Sequence, residues 1–330
     1  MSTVELPPVA AAPSPEVLGT RRHGRKGKVF SHPEDVHCVV YNLFTLAAYG
    51  VAFTAYLNPE AAGLTSIWAI AAYVVVANVL LGWISGVNVG VNYHNHVHLK
   101  VFHSAWLNRV FEHIWPITGG WPPYMWKHSH VTVHHANVLG ETDWTVPRRK
   151  ADGTFENIWV YLFMHWPWRY AQHLFEDFRN QRGGKRVRRK FLIDLAIFLP
   201  LYSIPFFIDP WMGLFLWLMP HFFANTITGG GMYVQHVGCE APTEEHPYWH
   251  SNTFRSRFFN LTMFNIGYHT LHHCYAQIHW SELPEVQKRV DDAMKKDGVT
   301  SLSVGYYHTF ANLAAGRTWE RTKSDYSTVD

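Results

Sequence analysis

Histidine is the residue whose spacing carries chemistry in this sequence. Of 23 histidines, most candidates fall into three tight clusters. His94 and His98 are four apart and share one face of a helix, whereas His96 lies on the opposite face. His130, His134 and His135, four and five apart, can lean toward one point, with His128 a weaker candidate upstream. His269, His272 and His273 stand at i, i+3 and i+4, which aligns three imidazoles. His236, just past the last apolar stretch, is a further candidate. Imidazole suits iron, zinc, copper and nickel. Nine such ligands (His94, His98, His130, His134, His135, His236, His269, His272 and His273) exceed what one ion takes up, so two ions sharing them fit better. There is no HExxH pattern to support a zinc protease.

The elements that hold these clusters are read from apolar runs. Residues 37–57 and 64–90 carry no Lys, Arg, Asp or Glu. Each is long enough for a helix across a bilayer core, which needs about 20 residues. The short link 58–63 makes them a hairpin. A second pair, 192–208 and 211–234, is divided by Asp209-Pro210, a cap followed by a proline at the first helical position. Asp194 is expected to reach the interface. If the helix of the second span continues to residue 103, it runs about 60 Å, twice the hydrocarbon thickness, and carries His94 and His98 beyond the membrane.

Composition agrees with spans in a membrane. Hydrophobic residues make up 48% and charged residues 16%, and there are 15 Trp. A typical soluble domain has about 25% charged residues, and Trp collects in interfacial belts. All 28 Lys and Arg fall before residue 37, within 94–190 or after 234, so both termini and the long middle segment are expected on the cytoplasmic side. The stretch 155–178 reads as an interfacial helix, and the basic run 179–190 as an orientation signal touching anionic headgroups. Cys38, Cys239 and Cys274 form no CxxC pair and suggest no disulfide framework. The net charge of +3 gives no case for nucleic acid. No signal peptide is expected. The expected architecture is therefore an all-α integral membrane protein. It has four transmembrane helices in two hairpins and a cytoplasmic helical cap carrying the histidines. The domains are expected as a flexible basic tail 1–34, a membrane domain 35–300 and a polar tail 301–330.

The segments HNHVHLKVF (94–102) with LNR, HVTVHHAN (130–137) with DWT, and NIGYHTLHH (265–273) with HWSELP resemble the histidine boxes of the membrane fatty acid desaturase and hydroxylase superfamily. Order and position relative to the spans are similar too, over roughly residues 35–290. The resemblance implies a non-haem di-iron centre, with dioxygen as co-substrate. The implied ligands are His94, His98, His130, His134, His135, His269, His272 and His273, with His236 in YVQHVG as the extra ligand after the fourth span. It also implies a lipid or fatty acyl substrate. His32-Pro33 has no haem domain around it, so an external electron donor is expected: a ferredoxin, a rubredoxin or a cytochrome b type protein with its reductase. The location is the bacterial inner membrane, or the endoplasmic reticulum of a eukaryote.

Metal-bound histidines usually donate their second N–H to a carboxylate or carbonyl. Asp143, beside Trp144, and Asn265 are the nominees for that supporting role; Glu112 and Glu141 are weaker ones. The expected reaction is introduction of a double bond into an acyl chain. Hydroxylation, ketolation and alkene-forming decarboxylation fit the same boxes. A metal transporter would put its ligands near the bilayer midplane, where only His221 is found; a zinc-dependent membrane hydrolase is the remaining rival.

Overall fold

The computed structural model describes residues 29–180, 184–299, 301–302 and 306–317. Residues 1–28, with the basic cluster Arg21 to Lys28 and most of the expected tail, lie outside the described residues, as do 318–330. Among the described residues helix dominates, and the strands are a single two-residue parallel pair, Thr253–Phe254 with Ser301–Leu302. The chain divides into two compact units. Among the described residues, an apolar unit holds 29–127 and 174–228, and a histidine-rich unit holds 128–173 and 229–317.

In the apolar unit three helices are long and apolar enough to cross a membrane: Asp35–Leu57, Ile67–His98 and Gly184–Ile208. Ser66 starts the second by accepting from Ala69 N (3.1 Å). This helix does not reach residue 103: it ends at His98, where Leu99 turns extended. Its 32 residues still span about 48 Å, well beyond a 30 Å hydrocarbon core. Just before His94 it widens into π-helical turns over Asn88–Tyr93, a local feature frequent at functional sites. The third helix starts at Gly184, earlier than the expected 192, so Lys185 to Lys190 occupy its first turns. Straight-chain basic residues are good helix formers, and the sequence gives no break between them and Phe191. After Asp209, whose carboxylate accepts from Met212 N (2.7 Å), the chain is helical again from Pro210.

Asp194 is buried within the apolar unit. Its Oδ2 accepts from Tyr124 N and Met125 N at 2.9 and 3.0 Å, tying the short helix Pro123–Lys127 to the third long one. Trp115 Nε1 donates to Asn88 Oδ1, and Asn88 Nδ2 to Thr118 Oγ1, both at 3.0 Å. Such satisfied networks are what lets polar groups sit inside an apolar unit. Gly82, Gly86 and Gly90 recur at every fourth position, and each lies against Phe223, Ile227 or Thr228. A Cβ on Gly82 would meet Phe223 Cβ at 2.8 Å. Gly82→Ala is therefore expected to cost about 1–3 kcal/mol through overpacking, visible as a lower unfolding temperature in detergent.

In the histidine-rich unit, Tyr248, Leu271, Tyr275, Leu283, Val286, Val290 and Met294 form a buried core. It fastens the helix Leu283–Asp297, capped by Gly298 at φ 74°, beneath the helix His269–Cys274. The interfacial stretch expected at 155–178 is helical from Ile158. Part of the polar tail expected at 301–330 has regular structure. Residues 301–302 pair with Thr253–Phe254, and Tyr306–Ala314 is a helix whose Tyr306 stacks on Phe259 (4.7 Å between ring centres). Its apolar spacing, Tyr306, Phe310 and Leu313, is too short to stand out in the sequence.

Candidate metal centre

His94 and His98 close the second long helix of the apolar unit, with ring centres 5.1 Å apart. His96 points elsewhere. It is fully buried against Trp115 (5.1 Å between ring centres), accepts from Val101 N (3.5 Å) and lies 3.8 Å from Glu112. Glu112 is the ion-pair partner of Lys100.

In the histidine-rich unit the second and third clusters meet, and each is divided in a way that α-helical spacing did not suggest. The second cluster lies on π-helical turns, His128–His134, running into His135. In the wider i to i+5 turn, His130 and His135 come together (4.6 Å between ring centres). They share one group with His272, ligand nitrogens within 4.8 Å of one another. His134 joins His236, His269 and His273 in a second group under the same limit. The third cluster is divided likewise, His272 to one side and His269 with His273 to the other.

The second group is the more sharply defined. His269 Nε2 lies 3.1 Å from His236 Nε2 and 3.0 Å from His273 Nε2. The second nitrogens of His236 and His134 are anchored. His236 Nδ1 donates to the His250 carbonyl (2.9 Å). His134 Nδ1 lies 3.0 Å from Asp143 Oδ2 and 3.0 Å from Thr145 Oγ1. Thr145 Oγ1 in turn donates to Asp143 Oδ1 (2.8 Å), and Leu139 N and Thr145 N donate to the same carboxylate at 2.8 and 3.0 Å. His134 Nε2 is buried with no hydrogen-bond partner. A buried imidazole anchored at one nitrogen and unsatisfied at the other could hold a metal ion. The donor set, all imidazole and buried, fits a transition metal such as iron or zinc.

Burial favours the neutral form of His272, the form that ligation requires. Burial, then the neighbouring His134, pulls His272 down to about 3, and the same causes pull His250 down to about 3. Burial opposes ionisation of Asp143, yet the adjoining His134 and the Thr145 N–H hold its carboxyl below the usual range.

The other nominees are placed differently. Asn265, at φ 60°, donates to the Trp280 carbonyl (3.1 Å) and so braces the loop before the third cluster. Glu141 is exposed. His128 stacks beside His173 (6.0 Å between ring centres), whose Nε2 is 3.1 Å from Ser129 Oγ. Thr145 and His250 were not singled out from the sequence. Thr145 sits within the DWT segment, which was a signal of sorts; a backbone carbonyl such as that of His250 leaves none. Gly267, two residues before His269, has no room for a side chain: a Cβ would sit 2.4 Å from the Phe254 carbonyl oxygen and 2.5 Å from Asn260 Oδ1. Gly267→Ala is expected to displace the third cluster and lower the metal retained by the purified protein, measured against the unaltered chain by elemental analysis.

The family model described as Fatty acid desaturase matches residues 68–304. No curated protein matches the chain.

Proposed function

From the membership of this chain in the fatty acid desaturase family, matched over most of its length, we propose that it is a multi-pass membrane oxidoreductase that binds two irons and uses dioxygen to place a double bond in a fatty acyl chain. Four spans in two hairpins, with both termini and the histidines on the cytoplasmic side, belong to the same reading. The fourth span is the helical run that begins at Pro210. The observation that carries the proposal is the division of buried imidazoles into two groups, one anchored through Asp143 and the His250 carbonyl.

The ligands proposed for one iron are His134, His236, His269 and His273. Those for the other are His130, His135 and His272, and the first box adds His94 and His98 to the ligand set. When bound, the irons supply activation of dioxygen, the oxidising power that an unactivated alkyl C–H bond demands and side-chain acid–base chemistry lacks. The chain supplies the rest. Asp143 and Thr145 fix the His134 ring by its Nδ1, so that Nε2 presents its lone pair inward. The His250 carbonyl does the same for His236. Burial excludes water and so protects the oxidant from side reactions. Overall a pair of hydrogens leaves the acyl chain, an electron pair and a proton pair arrive from an external donor, and dioxygen leaves as water.

The test is metal analysis of the detergent-purified protein, oxygen uptake under reductant and fatty acid, and gas chromatography of lipids from an expressing host. About two irons per chain, substrate-dependent uptake and internal double bonds are expected. An alcohol or a terminal alkene as sole product would sink desaturation and leave the oxidase; zinc without oxygen uptake would sink both.

A further inference from the structure

The C-terminal helix builds a feature that the proposed reaction does not use. Residues 148–156 of the histidine-rich unit form a hairpin, with Lys150 N donating to the Thr154 carbonyl (2.7 Å) and Glu156 N to the Arg148 carbonyl (2.9 Å). Between this hairpin and the end of the helix Tyr306–Ala314 lies a cavity of about 260 Å³. Lys150 and Arg317 stand in its wall, with Asn157, Ile158, Tyr233 and Leu313. Glu156 is also there, but its carboxylate is engaged by the His165 ring and the Arg148 N–H. Asp152, on the hairpin turn, accepts from Thr154. Arg149 faces Glu240 and the Phe155 ring instead.

The surroundings say what kind of anion such a cavity meets. Trp159, Val160, Phe163 and Met164, which begin the helical stretch beside it, are 39–63% exposed. Phe258 and Leu261, on the helix Arg257–Thr262, are 67% and 79% exposed. The C-terminal helix joins these two apolar runs. Phe310 lies 6.4 Å from the Trp159 ring, Tyr307 lies 6.4 Å from the Phe258 ring, and Trp159 Nε1 donates to the Ala314 carbonyl (2.9 Å). Exposed large apolar side chains grouped this way mark an interaction surface. Trp and Phe beside cations are the composition of an element seated at the boundary of headgroups and acyl chains.

We propose that this cavity binds the phosphate headgroup of an anionic phospholipid, its acyl chains lying over the Trp159 to Met164 run. Lys150 and Arg317 bracket the phosphate, which takes charge-assisted hydrogen bonds from a guanidinium and an ammonium. The cavity approaches the lower end of ordinary ligand sites, about 300 Å³, which suits a headgroup rather than a whole lipid. A free phosphate would gain nothing from the apolar runs, so the lipid is the occupant. The site requires a membrane but not the proposed oxidation, and its test reads binding alone.

The test is native mass spectrometry of the full chain released from detergent after incubation with equal amounts of phosphatidylglycerol and phosphatidylcholine of matched chains. Phosphatidylglycerol adducts are expected to exceed phosphatidylcholine adducts by about tenfold, and Lys150→Gln/Arg317→Gln to remove most of that preference. Arg317→Gln alone is expected to give an intermediate loss, should the double variant not fold. Equal retention of the two lipids, or an unchanged preference in these variants, overturns the proposal. So does displacement of phosphatidylglycerol by equimolar inorganic phosphate, which would make this a site for free anions.

Discussion

In His269→Ala/His273→Ala, bound iron is expected to fall from about two ions per chain to about one, and the same fall is expected in His130→Ala/His135→Ala. The two variants attack different groups. His269 and His273 belong with His134 and His236, whereas His130 and His135 belong with His272. Each substitution pair removes two imidazoles from one group and none from the other. Turnover is expected to be lost in both, by more than the roughly 10–100-fold that follows removal of an outer hydrogen-bond partner. Elemental analysis beside thermal unfolding separates metal loss from misfolding. If either variant lost all its metal while remaining folded, the imidazoles would form one shared site and the division into groups would be wrong.

That division was not legible in the sequence, and the reason is local backbone geometry. An α-helical reading of HVTVHHAN puts His130, His134 and His135 around one point. The chain instead winds His128–His134 in wider turns, which pairs His130 with His135 and turns His134 to the far side. Nothing in residue type marks such a turn. The clusters themselves were legible, because repeated imidazoles at helical spacing have few other uses. The long helices were legible for a similar reason: Asp35–Leu57 beyond its first residue, and Ile67–His98 throughout, carry no Lys, Arg, Asp or Glu. Their ends were less so. Lys185 to Lys190 read as a boundary by charge, yet they are good helix formers and prolong the helix. The partners of Asp194 were not legible either: its carboxylate is held by the backbone N–H groups of Tyr124 and Met125, some seventy positions away. Long-range satisfaction of this kind cannot be seen along a sequence. The helix Tyr306–Ala314 was missed because its order comes from Trp159 and Phe259, which are also far away along the chain.

Asp143→Asn is expected to lower metal affinity or turnover by about 10–100-fold, and the geometry explains why a near-isosteric change does so much. The Asp143 carboxylate accepts from Leu139 N, Thr145 N and Thr145 Oγ1 while facing His134 Nδ1. Both its oxygens are therefore acceptors. An asparagine keeps one oxygen and turns an amide N–H₂ toward a group that also donates, Leu139 N–H if it takes the Oδ2 position or Thr145 N–H if it takes the Oδ1 position. Rotation of the amide exchanges one clash for the other. The charge that favours a proton on His134 Nδ1 is lost as well, so the tautomer presenting Nε2 to the metal is less favoured. Thr145→Val removes only the bridging hydroxyl, leaves the carboxylate in place, and is expected to have a smaller effect in the same direction. Thr145→Ser restores the hydroxyl and is expected to recover most of it. The measurement is the rate at which a chelator strips metal from the purified variants, read beside turnover. Metal loss in Asp143→Asn no faster than in the unaltered protein, with turnover unchanged, would show that His134 is oriented by the packing of its helix and not by this carboxylate.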